Sequence, residues 1–207
     1  MVGLFSSAVG EPERIPLPDA DLVYFANALS GDAARCFREL RSNTPWREEK
    51  VFVWGKRHVQ PRLVAWHGDP GADYRYSGSF LRPAPWTPTL LKLRDEVETL
   101  AGTRFNSVLL NLYRNERDCV GWHSDDEPEL GPEPIIASIS FGETREFQLR
   151  HRSRKDLPVF RLPLTDGSVL IMAGPTQRNW QHSVKRETAK LGERINLTFR
   201  SIRPVKS

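Results

Sequence analysis

The apolar positions divide the chain into an N-terminal part with helical patterns and a C-terminal part of short alternating runs. Residues 1–18 have no periodic apolar pattern and contain three prolines, so we expect them to form a flexible arm. Residues 22–25 predict a short strand. The apolar residues that follow are spaced as one helical stripe, Cys36, Phe37 and Leu40. This pattern predicts a helix that ends near residue 43.

The next segment predicts a hairpin, a loop and a second helix. Strand-like runs at residues 50–54 and 59–66 flank a Gly-Lys-Arg turn, which places Trp54 at the exposed tip of a hairpin. A loop rich in Gly and Pro follows. The second helix has Thr87 as its N-cap, a proline at its first position and Gly102 just past its end.

From residue 105 onward the pattern changes to short strands separated by turn residues. The predicted strands are 105–113, 118–123, 134–141, 144–151, 159–163, 168–173, 180–184 and 193–203. Helical elements followed by eight short strands are typical of an α+β fold with a double-sheet jelly roll, also called a double-stranded β-helix. We expect the N-terminal helices to pack on one face of this core.

Composition narrows the possible chemistry. A chain of 207 residues with 39% apolar content is long enough for one buried core, so we expect a single domain and a monomer. Two cysteines are too few for a disulfide scaffold or an all-cysteine zinc site, so a metal would need histidine and carboxylate ligands. The net charge of +4 permits an anionic partner. The chain shows neither a membrane span nor a signal peptide, and we expect a cytoplasmic, bacterial-like protein or a nuclear one.

The strongest chemical signal is the pair His123 and Asp125. Residues i and i+2 of a strand point to one face, so an imidazole and a carboxylate would lie side by side. They supply two ligands of a 2-His-1-carboxylate facial triad, which leaves positions open on a ferrous ion. His182, on a late predicted strand, is the best third ligand, because a jelly roll brings distant strands together. His67 and His151 are weaker candidates.

A second polar constellation lies on the last strand. Residues 194–200 alternate, so that Arg194, Asn196, Thr198 and Arg200 share one face. We expect the two guanidiniums to lie two to three strand steps apart, where they could hold both ends of a small dicarboxylate. Asn111 and Tyr113 share a face of an earlier strand in the same way. Such a polar interior face needs a ligand, because buried polar groups cost free energy unless paired.

Together these motifs resemble the AlkB family of Fe(II)/2-oxoglutarate dioxygenases, most closely the branch that acts on methylated bases in nucleic acids. The resemblance extends from about residue 61 to the C-terminus and includes the segments 137–142 and 176–177. It divides the single domain into a flexible arm (1–18), N-terminal helices with a nucleotide-recognition lid (19–104) and a catalytic core (105–207).

The resemblance implies a role for each motif. His123, Asp125 and His182 would bind iron. Arg200 would hold the 2-oxoglutarate carboxylate near the metal and Arg194 the distal carboxylate, assisted by Asn111, Tyr113, Asn196 and Thr198. The implied reaction couples 2-oxoglutarate and O2 to demethylation of 1-methyladenine or 3-methylcytosine in DNA, with RNA as a further substrate.

The resemblance also implies contacts to the substrate. Tyr76 falls where a lid aromatic stacks on the flipped base, with Trp66 as the alternative, and Tyr74 would support it. Glu127 could accept a hydrogen bond from the exocyclic amine of the base. Trp54 could fill the gap that a flipped base leaves in a duplex.

Several alternatives remain open at this stage. The two strand arginines could lie on a solvated sheet face. The basic residues of one late segment form either a solvated surface or a groove for phosphates; these are Arg145, Arg150, His151, Arg152, Arg154 and Lys155. The chain could also be a 2-oxoglutarate oxygenase of proteins or small molecules, or a jelly-roll binding module without catalytic activity.

Overall fold

A computed structural model of the protein describes residues 11–53, 56–72, 74–76 and 79–203. Side chains are described for these residues except 51–53, 56–57, 74–76 and 79–81. Trp54 therefore lies outside the described residues, as do the side chains of Tyr74 and Tyr76. The helices are α1 Ala33–Asn43, α2 Pro88–Ala101 and the short α3 Thr176–Asn179. The strands are β1 Glu13–Arg14, β2 Asp21–Phe25, β3 Arg47–Val53, β4 Lys56–Gly68, β5 Tyr74–Tyr76, β6 Ser79–Leu81, β7 Ser107–Tyr113, β8 Val120–His123, β9 Ile136–Gly142, β10 Arg145–His151, β11 Phe160–Leu164, β12 Ser168–Ala173, β13 Trp180–Val184 and β14 Arg194–Arg200.

Two antiparallel sheets form the core. The larger sheet has the order β1-β2-β12-β9-β14-β7-β4-β3, and the smaller has the order β11-β10-β13-β8. The last eight strands are shared between them, with β7, β9, β12 and β14 in the larger sheet. The jelly roll and all eight strands predicted for the C-terminal half are confirmed, although several predicted ends extend beyond the observed strands. Strands β5 and β6 pair as a separate hairpin.

The larger sheet is buried on both faces because its strands alternate two kinds of side chain. Ile195, Leu197 and Phe199 of β14 pack with α1 and α2 in one apolar cluster. Arg194 and Asn196 take the opposite face, toward the smaller sheet, and β14 pairs Arg194 with Tyr113 and Asn196 with Asn111. The alternation predicted for this strand therefore separates an apolar layer from a polar interior.

Local signals explain the two longer helices. The hydroxyl of Thr87 accepts a hydrogen bond from the Leu90 amide at 3.2 Å, and Gly102 ends α2 in the left-handed conformation at φ 63°. Both predicted caps of α2 are confirmed. Helix α1 buries Cys36 and Leu40 of its predicted stripe. Burial raises the pKa of the Cys36 thiol to about 11.

The predicted N-terminal boundaries are wrong in two respects. Residues 13–14 pair with β2, and Ile15 is buried against Leu22, so this part of the expected arm is an edge of the large sheet. Strand β2 pairs with β12, and β4 pairs with β7. The core therefore recruits strands from residues 13–68 as well as from 105–207. β2 and β4 thus pair with backbone groups that β12 and β7 would otherwise leave open at the edges of the sheet. No helix within the described ranges is long and apolar enough to cross a bilayer.

Candidate active site

Three predicted ligands converge between the sheets. β8 and β13 are neighbours, and His123 lies directly opposite His182. One ligand atom each from His123, Asp125 and His182 lie within 4.8 Å of one another. Asp125 lies just beyond the end of β8, so the strand predicted to carry both residues ends at the histidine. His67 and His151 take no part: the first bonds to the Pro85 carbonyl and the second packs against Trp180.

Burial and neighbouring charges set the protonation of this triad. Burial lowers the pKa of His182 to about 3, assisted by His123. Burial likewise lowers the pKa of His123. Burial alone would raise the pKa of Asp125, but the charge of the adjacent Arg200 guanidinium holds this pKa well below its usual range. Two neutral imidazoles and one carboxylate are the forms that bind a divalent metal ion.

Hydrogen bonds orient the residues of the first motif. The His123 Nδ1 lies 2.8 Å from the Gly121 carbonyl, which makes Nδ1 the protonated nitrogen and leaves Nε2 for a metal. The Ser124 hydroxyl donates to the Trp180 carbonyl at 2.9 Å. The Asp125 amide donates to Gln177 Oε1, also at 2.9 Å. Strand β13 and helix α3 thus hold the segment that carries two of the three ligands.

The carboxylate of Asp125 has two different oxygens. Oδ2 accepts a hydrogen bond from Arg200 at 2.9 Å. Oδ1 has no hydrogen-bond partner among the described residues and lies 3.9 Å from His123 Nε2. A buried carboxylate oxygen costs free energy without a partner, and a metal ion would provide one. The donor set therefore fits a ferrous ion.

Arg194 fits an anionic ligand for the same reason. Its side chain is 1% exposed, and only one of its nitrogens, Nη2, has a hydrogen bond, to Ser140 at 2.9 Å. Nε and Nη1 have no partner among the described residues. One cavity is lined by Arg194 together with the metal triad. A carboxylate in this cavity would satisfy both free N–H groups in a bidentate pair. The solvated-face alternative is wrong, because Arg194 and Arg200 are both buried.

The two arginines are far apart along their strand. Arg194 and Arg200 stand at opposite ends of β14, six strand steps apart, and the span is about 20 Å. Their side chains must therefore lean toward each other for both to line one cavity. The Asn196 amide donates to Ser138 at 2.8 Å and to the Ile139 carbonyl at 2.9 Å. Its oxygen accepts from Thr198 at 3.2 Å. In this arrangement Asn196 and Thr198 form the wall of the cavity.

The sequence patterns gave no role to several residues of the site. Arg62 of β4 lines the cavity and donates to Asn111 Oδ1 at 2.7 Å, which fixes the orientation of that amide. Gln177 holds Asp125, and Ser138 and Ser140 bond to β14. The alternation of segment 137–142 could have indicated the two serines. Gln177 lies in the segment 176–177, which carries part of the family resemblance. Arg62 leaves no comparable signal, because only the fold brings it to the cavity.

The predicted substrate contacts stay predictions. The lid residues Tyr74 and Tyr76 occupy β5, and Glu127 follows the metal motif at the start of a short turn. Trp66 is wrong as the alternative stacking residue, because it is buried and its indole donates to the Ala72 carbonyl at 3.1 Å.

The predicted basic cluster does not form one surface. Arg145 and His151 are buried, and Arg150 lies over Trp122. Arg152 pairs with Asp126, and Arg154 pairs with Asp156. The guanidiniums of Arg152 and Arg154 are thus neutralised by acidic residues of the same chain. Arg145 therefore belongs to the interior of the protein.

Comparisons with known proteins agree with this geometry. Residues 11–200 match the 2OG-Fe(II) oxygenase superfamily, whose name specifies 2-oxoglutarate, ferrous iron and oxygen as reactants. The chain is 44% identical to alpha-ketoglutarate-dependent dioxygenase alkB homolog 3 of Bos taurus over 181 residues, which are 84% of this chain and 63% of that protein. The chain thus spans less than two thirds of the length of that relative.

A second relative is covered more fully. The chain is 44% identical to the DNA oxidative demethylase ALKBH2 of Mus musculus over 184 residues, which are 84% of this chain and 77% of that protein. The solved structure of OsALKBH1 has a similar fold, with a TM-score of 0.60 and 18% identity over 92% of this chain and 100% of that one. From these matches, the chain belongs to the 2OG-Fe(II) oxygenase superfamily and, within it, to the AlkB family.

Proposed function

We propose that this protein is an Fe(II)- and 2-oxoglutarate-dependent oxidative demethylase of N-methylated bases in DNA, with RNA as a further substrate, and that it acts as a monomer. One observation carries the proposal: the three potential metal ligands and the incompletely bonded guanidinium of Arg194 line the same buried cavity. A metal site beside an anion site is what a dioxygenase that consumes a dicarboxylate requires. The similarity to ALKBH2, a DNA oxidative demethylase, supports methylated DNA as the substrate class.

The metal ligands would be His123, Asp125 and His182. When bound, ferrous iron and 2-oxoglutarate supply the oxidation of an N-methyl group by O2, with succinate and carbon dioxide as coproducts. The hydroxylated methyl group then leaves the base nitrogen as formaldehyde. The protein holds its two imidazoles neutral and its carboxylate ionised, and Arg200 bonds one carboxylate oxygen so that the other would be available to the ion.

The arginines would bind and orient the cosubstrate. Arg194 would bind the distal carboxylate through its Nε and Nη1 groups. The centre of the Tyr113 ring lies 5.1 Å from the same guanidinium. Arg200 would lie near the other end of the dicarboxylate, beside Asp125. The polar wall of Asn111, Asn196 and Thr198 completes the cavity. The position of the cavity between two sheets limits the access of bulk water to the reacting groups.

Residues outside this cavity would bind the nucleic acid. A methyl group on a paired base is inaccessible within a duplex, so the base must be extruded or already single-stranded. Tyr76 would stack on that base with Tyr74 in support, Glu127 would bond to its exocyclic amine, and Trp54 would occupy the gap in a duplex. These four roles rest on the sequence resemblance.

The test measures succinate and formaldehyde from the iron-loaded protein with oligonucleotides that carry one 1-methyladenine or one 3-methylcytosine. We expect both products in equal amounts, and neither product from the His182→Ala variant. The unmethylated oligonucleotide controls for uncoupled turnover. Succinate without formaldehyde on every oligonucleotide would favour an oxygenase of proteins or small molecules. Absence of both products would favour a binding module.

A further inference from the structure

Arg145 is a buried cation that the proposed reaction does not use. It is the first residue of β10 and is 1% exposed, although the sequence places it in a basic cluster. Its guanidinium donates to three backbone carbonyls: Asn115 at 3.3 Å, Asp118 at 3.0 Å and Lys185 at 2.6 Å. Burying a cation is costly, so a fully buried guanidinium with neutral partners needs a structural or functional reason.

The three carbonyls belong to two loops at one end of the barrel. Asn115 and Asp118 lie in the loop between β7 and β8, and Lys185 begins the loop that follows β13. The loops also bond directly, because the Glu187 amide donates to the Glu116 carbonyl at 2.9 Å. Arg145 therefore holds two loops together. One loop follows Tyr113 at the end of β7, and the other follows β13, the strand that carries His182.

Tyr113 links this junction to the proposed cosubstrate site. The Arg145 guanidinium lies 5.5 Å from the centre of the Tyr113 ring, and the Arg194 guanidinium lies 5.1 Å from the same ring. Both distances are within the range of cation–π attraction. One aromatic ring thus contacts two buried cations. Tyr113 and Arg194 line the cavity, and Arg145 is not among the residues that line it.

The electrostatics favour an anion at this end of the cavity. Burial lowers the pKa of Arg194, and the charge of Arg145 lowers it further, whereas Tyr113 raises it. Two like charges in a region of low dielectric repel each other, and a carboxylate between them and the metal would relieve that repulsion. Arg145 therefore adds to the attraction for an anion that it does not touch.

We propose that Arg145 is a positioning residue of the cosubstrate site, which holds Tyr113 and the two loops so that Arg194 can bind the distal carboxylate of 2-oxoglutarate. This inference rests on the proposed use of 2-oxoglutarate, and it does not depend on which methylated substrate is demethylated. Substitution of Arg145 should therefore lower the affinity for 2-oxoglutarate and leave the affinity for the metal ion unchanged.

The test measures direct binding of 2-oxoglutarate by calorimetry, without nucleic acid, to protein loaded with Ni(II) to prevent turnover. Arg145→Met removes the charge and the three donors, and Arg145→Lys keeps the charge without the planar fork. We expect the dissociation constant to rise about tenfold in the Met variant and less in the Lys variant. Ni(II) affinity should stay at the parent value in both variants.

The matched control is Arg150→Met, on the same strand. Its guanidinium lies 4.4 Å from Trp122 and bonds to Gln181, and it does not line the cavity. It should bind 2-oxoglutarate like the parent. Parent-like affinity in folded Arg145→Met and Arg145→Lys proteins would overturn the assignment. If 2-oxoglutarate affinity falls as expected but no methylated oligonucleotide is demethylated, the proposed substrate is wrong and the role of Arg145 stands.

A measurement on the unaltered protein keeps the test decisive if the variants fail to fold. The amides of Glu187 and Arg114 bond within the two loops that Arg145 joins. Hydrogen exchange of both amides should slow when 2-oxoglutarate binds the Ni(II) form, because the cosubstrate would fix Arg194, Tyr113 and the junction together. Unchanged exchange at both amides would contradict the coupling. The Asp32 amide, which bonds to the Leu29 carbonyl at the start of α1 and belongs to neither loop, serves as an internal control.

Discussion

Arg200 and Asp125 form a buried ion pair in which one guanidinium nitrogen lies 2.9 Å from one carboxylate oxygen, with side chains 3% and 2% exposed. The pair joins Arg200, at the end of β14 in the large sheet, to Asp125, which follows β8 of the small sheet. It fixes Asp125 with Oδ2 bonded and Oδ1 directed elsewhere. Arg200 thus contributes both to the stability of the fold and to the orientation of the metal ligand Asp125.

We expect Arg200→Met to lower the free energy of unfolding by about 3–5 kcal/mol, because it leaves a buried carboxylate without its cation. Urea unfolding of the metal-free protein measures this change. The double variant Arg200→Met/Asp125→Ala should be more stable than the single variant, since it removes the stranded charge. Arg161→Met, with a side chain 57% exposed, should change the free energy by less than about 0.5 kcal/mol. A double variant less stable than Arg200→Met would contradict the ion-pair explanation.

Alanine at His123, Asp125 or His182 should abolish demethylation, because each substitution removes one of three ligands. The two histidine variants should keep the stability of the parent, whereas Asp125→Ala should fold but be less stable, because it leaves the buried Arg200 guanidinium without its carboxylate. Circular dichroism measures the fold, and titration with Co(II), followed by its visible absorption, measures metal binding. His58→Ala is the control, since His58 is exposed on β4 and does not line the cavity of the triad. Full activity in any one of the three variants would remove that residue from the metal site.

Arg194→Lys should raise the KM for 2-oxoglutarate by about tenfold or more and leave the KM for methylated oligonucleotide near the parent value. A lysine keeps the charge but cannot form the bidentate pair with a carboxylate. Steady-state succinate formation measures both constants. Arg117→Lys, at a side chain 81% exposed, controls for the loss of a guanidinium elsewhere. An unchanged KM for 2-oxoglutarate would mean that Arg194 does not hold the cosubstrate.

Gln177→Leu should weaken metal affinity about 10- to 100-fold, because the Asp125 amide loses its acceptor and the ligand loses its orientation. Competition for Co(II) with a chelator of known affinity measures the change. The neighbouring Arg178→Ala is the control, since its side chain is 66% exposed and pairs only loosely with Glu133 at 3.9 Å. Gln177→Glu keeps an acceptor oxygen and should retain more affinity than Leu. Parent-like affinity in Gln177→Leu would limit this residue to packing.

Tyr76→Ala should weaken binding of methylated oligonucleotide about 5- to 150-fold, because stacking on a base contributes about 1–3 kcal/mol. Tyr76→Phe keeps the ring and should bind nearly like the parent. Fluorescence anisotropy with a labelled single strand measures both variants, and 2-oxoglutarate turnover without substrate should be unchanged. Equal binding by Tyr76→Ala and the parent would move the stacking role to another aromatic residue of the lid.

The sequence alone determined the elements and most of the chemistry. Alternation at period two predicted eight strands and separated Ile195 and Leu197 from Arg194 and Asn196, since a strand sends adjacent residues to opposite faces. The caps Thr87 and Gly102 bounded α2 because their signals are local. His123 and Asp125 were recognisable as ligands because they are close along the chain. His182 was the best third ligand because it lies on a late predicted strand, and the family resemblance implied the same residue.

The tertiary structure decided what depends on contacts between distant segments. Pairing of β8 with β13 brought His182 opposite His123, and α3 brought Gln177 to the Asp125 amide. Arg145 has the sequence surroundings of a surface cation, yet β10 begins beneath two loops whose carbonyls enclose it. Hydrophobic periodicity reports which face of a strand is buried, and it carries no information about which remote polar groups will satisfy a buried charge. That choice is made only when the sheets close around the cavity.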